Sequence, residues 1–489
     1  MKYRPLTILL FFIAVLFALF GFTYLSAPNK LEDGKIQDGF AIGENIIKYP
    51  TTTTFFMDET LDEDHIKEID SIVENIENVI AIKEVPEEVS EPNIPDFTQI
   101  DTSKIQRIHY PENKSAFIGD IRSSLQSNSC RIIHYGDSQI EGDRISSYLR
   151  NRLQGMYGGY GPGFIPIVQV YEQISAVVTP SGNWSRYAYF DPTQKKFEHK
   201  KYGAYNSFSR FTEFPSNPTE FNLDTIPVSK ATIDIGIPAK SYGRLKTFKT
   251  IGLHYGNALA PVKIKVINGG SVIRTDSLNT DGKYHKYQIK LAETPSNLKI
   301  ELETKISPDF YGITLDTDNG ISLDNVAMRG SSGTVFANTN SENFAQMYGG
   351  LNPKIVIFQY GGNSVPYMKD SLKVKQYVGY LRNHIRWVQR KTKNSKFIFI
   401  GPSDLTTMEN GRRISYPLLP FINESLKEMC LENNVAYWSM FDAMGGLNSM
   451  PHWVDQSLAG SDYTHFTFTG SRLISEMFFL ALYLDLNNS

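Results

Sequence analysis

Gly136-Asp137-Ser138 sets a serine hydroxyl at the end of a short β-prone run, Arg131-Ile132-Ile133-His134-Tyr135. Directly afterwards Ile145, Leu149, Leu153 and Met156 recur at helical spacing. A serine at such a strand-to-helix turn lies beside free backbone N–H groups, which can stabilise an oxyanion. An N-capping serine would look the same, so the triplet needs partners before it means chemistry. Asp462-Tyr463-Thr464-His465, just before the last predicted helix, offers them. An aspartate three residues before a histidine in a loop can turn its carboxylate onto Nδ1, which leaves Nε2 free to take a serine proton.

Acyl transfer also needs oxyanion donors. Asn363, in Gly361-Gly362-Asn363 at the end of a predicted strand, can give a side-chain N–H. Gly330 or Gly333, in Met328-Arg329-Gly330-Ser331-Ser332-Gly333, can give a backbone N–H where the chain must approach a substrate closely. Each of these is unremarkable alone. Their value is their order along an alternating strand–helix chain.

That alternation predicts the elements that position them. Strands are expected at 354–360, 396–400 and 435–439, and helices near 372–391, 417–432 and from 468. Apolar strands alternating with helices predict a parallel sheet covered on both faces, with ligands at the carboxyl ends of the strands. Between Phe164 and about Leu323 the helical period disappears. Alternating runs such as Val262-Lys263-Ile264-Lys265-Val266 and Leu298-Lys299-Ile300-Glu301-Leu302, with turn signals between them, predict an inserted β-sandwich at 165–323.

At the N-terminus, Lys2 and Arg4 precede Leu6–Leu25, twenty residues without a charge. The length suits a transmembrane signal anchor over 1–27 better than a cleaved signal peptide, and either places the remaining chain outside the cytoplasm. Residues 28–104 are rich in Glu, Pro and Asn and read as a linker, with one short helix near 60–80.

The 489 residues are 41% hydrophobic and 21% charged, enough apolar material for large cores. Lys+Arg 49 against Asp+Glu 52 lacks the basic surplus a nucleic-acid protein needs. Two cysteines, Cys130 and Cys430, exclude a disulfide scaffold, although the two could pair with each other. His452, Asp462 and His465 lack zincin spacing, so no metal and no cofactor is expected. His134 reads as a packed strand residue. His452 and Trp453 could line a cleft, and Asp404 could bind substrate or cap a segment. Trp184, Tyr187, Tyr189 and Tyr202 could stack on sugars, with core packing the better reading.

Taken together, the blocks Gly136-Asp137-Ser138, Gly330/Gly333, Gly362-Asn363 and Asp462-x-x-His465 make the chain resemble the SGNH (GDSL-type) hydrolases. The resemblance covers 105–164 and 324–489 and implies a flavodoxin-like α/β/α sandwich. It implies Ser138 as nucleophile, His465 as base, Asp462 as its partner, and an oxyanion hole from Ser138, a glycine and Asn363. The long β-insert and the glycine-rich stretch Gly155–Phe164 are similar to the peptidoglycan O-acetylesterase and O-acetyltransferase branch, where the insert resembles a carbohydrate-binding module. The implied partner is an O-acetylated glycan. Gln139 and Ser364 depart from the family's usual Leu and Asp, and Gly330 and Gly333 both fit the second block. A transferase, a lipid esterase and a non-catalytic glycan-binding protein are the rival readings.

Overall fold

The computed structural model describes residues 5–30, 36–42, 45–49, 101–215, 222–239, 241–392, 394–409 and 411–487. It divides into two units, Met1–Asp64 and His65–Ser489.

In the first unit, the uncharged run forms a helix, Pro5–Leu25. Among the described residues no helix is long and apolar enough to cross a membrane. The expected transmembrane span is therefore not met there. Ala27–Lys30, Ile36–Ile42 and Asn45–Lys48 then pair as a three-stranded antiparallel sheet. This sheet lies inside the stretch expected to be linker. The helix expected near 60–80 and the acidic Pro-containing run fall outside the described residues.

The second unit holds a five-stranded sheet that is parallel throughout, in the order 320–327, 129–136, 353–359, 396–400, 435–438. In chain order this is 2-1-3-4-5, the flavodoxin-like arrangement, with its switch point between Ser129–Gly136 and Pro353–Gln359. The strands alternate strictly. Ile132, Ile355, Ile357, Ile398 and Ile400 face one helical layer. Ile133, Tyr135, Val356, Phe358, Phe397 and Phe399 face the other. Helices Lys114–Leu125, Arg144–Tyr157 and Phe468–Asn487 cover the first face. Helices Ser341–Leu351, Ser371–Gln389 and Leu419–Glu432 cover the second. Cys130 and Cys430 are buried as free thiols, one in each layer.

The insert is a sandwich of two antiparallel sheets. One runs 285–290, 250–256, 309–316, 207–210, 185–188, with Gly163–Ile165 added to Asp309–Asp316. The other runs 271–278, 262–268, 298–304, 229–236, 177–180. Ile251, Leu253, Ile264, Val266, Ile300 and Leu302 fill the space between them.

The boundaries differ from the expected 165–323. Gly320–Ala327 belongs to the parallel sheet, and Gly163–Ile165 already belongs to the sandwich. The alternation Ile321-Ser322-Leu323-Asp324 imitates a half-solvated strand, yet Asp324 is fully buried. It accepts from Arg131 Nη1 at 2.6 Å, Tyr205 Oη at 3.0 Å and the Phe164 N–H at 3.1 Å, which satisfies it inside. The glycine-rich loop threads between the two sheets. A Cβ on Gly161 would lie 2.3 Å from Leu315 O, and one on Gly163 2.3 Å from Leu323 O, with φ of +95° and +72°.

Candidate active site

The first strand of the parallel sheet ends at Gly136, and Ser138 opens a tight turn, Ser138–Asp143, that feeds helix Arg144–Tyr157. Beneath this turn Asn325 Nδ2 donates to Ile140 O at 3.0 Å. Asn325 Oδ1 and His134 Nδ1 both lie within 3.1 Å of Ser146 Oγ. His134 is buried, and burial pushes its pKa down to about 3 against a hydrogen bond with Gln359 that pulls upward. It is a neutral packing residue of the strand.

The turn meets the loop before the last helix. Ser138 Oγ lies 2.8 Å from His465 Nε2, and His465 Nδ1 lies 2.7 Å from Asp462 Oδ2. The other Asp462 oxygen accepts the N–H groups of Thr464 and His465, each at 3.0 Å. Partial burial works to raise the Asp462 carboxyl, but the hydrogen bonds from His465 and Thr464 outweigh it and hold it below the ordinary carboxylate range. The carboxylate therefore stays ionised beside the imidazole, which fixes ring and tautomer. Ser138 and His465, 327 residues apart in the chain, stand with Asp462 in hydrogen-bond sequence.

The expected oxyanion donors divide. The Gly333 N–H is buried and donates to Ser331 Oγ at 3.2 Å, and Gly333 packs against Tyr360. It is not an oxyanion donor here. The side-chain amide of Asn363 also departs from expectation: Nδ2 donates to Asp137 Oδ2 at 3.0 Å and Ser331 O at 3.2 Å, which occupies both of its hydrogens. The Ser138 and Gly330 N–H groups have no partner among the described residues. Gly330 is exposed, in a loop pinned to the sheet by the Met328 N–H donating to Gly136 O at 2.7 Å. Ser138, Asn363, Gly362, Pro402, Ser403 and Thr464 share a small cavity of about 30 Å³.

Several residues matter that the sequence reading did not assign. Asp137 is buried, and burial raises it to about 6 while hydrogen bonds from Gln139 N–H and Asn363 pull downward. Gln139 Nε2 donates to Thr464 O at 2.6 Å. Arg144 donates from Nη2 to Ser138 O at 2.8 Å and from Nη1 to Phe466 O at 3.0 Å. Both carbonyls flanking His465 are thus held from the serine turn. The signal for Arg144 was legible: a cation at the first position of a helix runs against the helix dipole and needs another reason to be there.

Other candidates lie elsewhere. Asp404 accepts the Met450 N–H at 2.9 Å and caps helix Ser449–Asp455, and burial raises it to about 6. His452 is buried in that helix, and Trp453 is core, donating to Met444 O at 3.0 Å. Neither lines the Ser138 cavity. Trp184 fills the sandwich core, and Tyr202 is buried with Tyr187 and Tyr189 packed against the same cluster, so these are packing aromatics.

No protein-family model matches the chain, and no curated protein matches it. Among solved structures, a peptidoglycan O-acetylesterase superposes with a TM-score of 0.58 at 19% identity, over 78% of this chain and 99% of that one. The chain shares the fold of that esterase, and its motif blocks resemble those of the SGNH hydrolases. A GDSL-like lipase from Parabacteroides merdae (TM-score 0.27, 15% identity, 34% of this chain and 74% of that one) also matches. So does a family two carbohydrate esterase from Clostridium thermocellum in complex with cellohexaose (TM-score 0.23, 10% identity, 54% and 95%). Those two overlap this chain too loosely to say more. The likeness to the O-acetylesterase takes in both the parallel-sheet domain and the insert, since it spans over three quarters of the chain.

Proposed function

We propose that this chain is a serine esterase that removes O-acetyl groups from a glycan. The observation that carries the reading is the relay Ser138–His465–Asp462, at 2.8 and 2.7 Å. Ser138 Oγ attacks the acetyl carbonyl as His465 Nε2 takes its proton, and Asp462 stabilises the imidazolium. The N–H groups of Ser138 and Gly330 receive the oxyanion. His465 returns the proton to the departing sugar oxygen. Water, activated by the same imidazole, then releases acetate from the acyl-serine. The small cavity at Ser138 suits a two-carbon acyl group better than a long chain. The fold likeness to a peptidoglycan O-acetylesterase supports a glycan as the alcohol. A second sugar hydroxyl in place of water would make the same centre an O-acetyltransferase. Lys2 and Arg4 ahead of an uncharged run support a location of the catalytic part outside the cytoplasm.

The test is acetate release by the full-length protein from O-acetylated peptidoglycan, O-acetylated xylan and an aryl acetate, with Ser138→Ala as control. Serine-dependent release, fastest on a glycan, is expected. Labelled acetyl appearing in an added sugar acceptor would assign the transferase. Equal rates for Ser138→Ala and wild type on every ester would overturn the reading.

A further inference from the structure

A second cavity, about 190 Å³, opens between the insert and the parallel-sheet domain. Its walls include Phe164, Tyr171 and Phe190 from the insert and Glu141 and Arg329 from the sheet domain. Glu141 lies three residues after Ser138 in the same turn, and Arg329 directly precedes Gly330. The cavity therefore flanks the esterase centre.

Arg186, on the edge strand Ser185–Ala188, also lines this cavity. Its Nε is sealed from solvent and has no partner among the described residues. Its Nη2 reaches Ser207 Oγ only at 3.4 Å, and its guanidinium sits 5.7 Å from the centre of the Phe190 ring. No carboxylate lies within ion-pair distance of it among the described residues. The nearby acids are committed elsewhere. Glu141 is 3.7 Å from Arg329, and Asp191 accepts the Thr193 N–H at 2.9 Å and its hydroxyl at 2.7 Å. Burial lowers the Arg186 pKa to about 10, with Asp191 and Glu141 opposing, so the group is charged at neutral pH. A largely buried cation with an unused donor is costly in the free protein, and an anionic acceptor offsets that cost.

We propose that Arg186 receives a carboxylate of the glycan, so that the substrate carries an acidic sugar beside the acetylated position. A planar guanidinium with free N–H groups suits a carboxylate's paired oxygens. The aromatic walls suit the apolar face of the sugar ring. Two sources share this chemistry: a hexuronate, with its carboxylate on C6, and a sugar bearing a lactyl ether. The proposal rests on the esterase reading and narrows its substrate.

Binding separates the two claims. The full-length protein is titrated calorimetrically with a galacturonate tetramer, the same tetramer reduced at its carboxyls, an oligosaccharide of alternating N-acetylglucosamine and lactyl-bearing N-acetylmuramic acid, and chitotetraose. One acidic oligosaccharide is expected to bind about 10- to 100-fold more tightly than its neutral counterpart, and the one that does identifies the source. Arg186→Gln is expected to remove that preference and Arg186→Lys to keep part of it, with melting temperatures checking both folds. Equal affinity for acidic and neutral ligands, no binding of either acidic ligand, or a preference that persists in Arg186→Gln overturns the proposal. Acetate release from an aryl acetate is scored separately. Serine-dependent release without acid preference removes only the Arg186 site, and acid preference without release removes only the esterase.

Discussion

Gln139, the residue after the serine, donates from Nε2 to the carbonyl of Thr464, the residue before the histidine, over 2.6 Å. Two loops more than 320 positions apart are thereby locked at the atoms next to the reacting pair. Gln139 stands where the family resemblance leads one to expect leucine, which could pack but not donate. Its role is to position the base, not to touch substrate.

If so, Gln139→Met, close in volume but without the donor, should lower kcat on an aryl acetate about tenfold and leave KM within twofold. A loss confined to KM, or none at all, would show that the bond is incidental. A melting temperature within a few degrees of wild type separates positioning from folding.

Asp462→Asn tests the orienting carboxylate. The amide cannot stabilise the imidazolium, and it admits the wrong tautomer. The kcat should fall by about 10²- to 10⁴-fold, while active-site titration with a slow ester still counts Ser138. An effect under about threefold would leave Asp462 as a loop residue that merely accepts the N–H groups of Thr464 and His465.

Gly330 and Gly333 both hold positive φ, +74° and +79°, but face different surroundings. A Cβ on Gly333 would lie 2.9 Å from the Tyr360 ring, whereas one on Gly330 meets open space. Gly333→Ala should destabilise by roughly 2–4 kcal/mol, backbone strain plus overpacking, and Gly330→Ala by about 1 kcal/mol from strain alone. Melting curves in that order are expected, and the reverse order would contradict the placement of this loop.

Asp137 and Asp404 are both raised to about 6, chiefly by burial. Folding therefore favours their protonated forms. The stability this carries is fully present below about pH 4 and is lost as pH rises through about 6, on the order of 3 kcal/mol for each group. Asp404→Asn should remove one share of that slope. Its melting temperature relative to wild type should rise by several degrees between pH 4 and pH 8, and parallel curves would refute the burial argument.

The sequence by itself determined the candidate reacting residues and the layers. Ser138, Asp462 and His465 were legible because acyl transfer admits few residue types and each sat at a strand end or beside a helix start. The sheet was legible because its strands read as unbroken apolar runs, which only burial on both faces demands. What it could not give were features that depend on partners remote in the chain. The expected end of the insert at 323 cut strand Gly320–Ala327 in two, and only Arg131 and Tyr205, distant in sequence, make the burial of Asp324 in that strand tolerable. Gly330 and Gly333 were equal as letters. Tertiary packing separated them by committing one N–H to Ser331 and leaving the other open. Arg186 was one arginine among many until the fold set it in a cavity without a counter-ion. Residue type and local period fix which chemistry and which elements are available. Desolvation and the hydrogen bonds that offset it are properties of the assembled fold, and they decide which of those residues are left free to act.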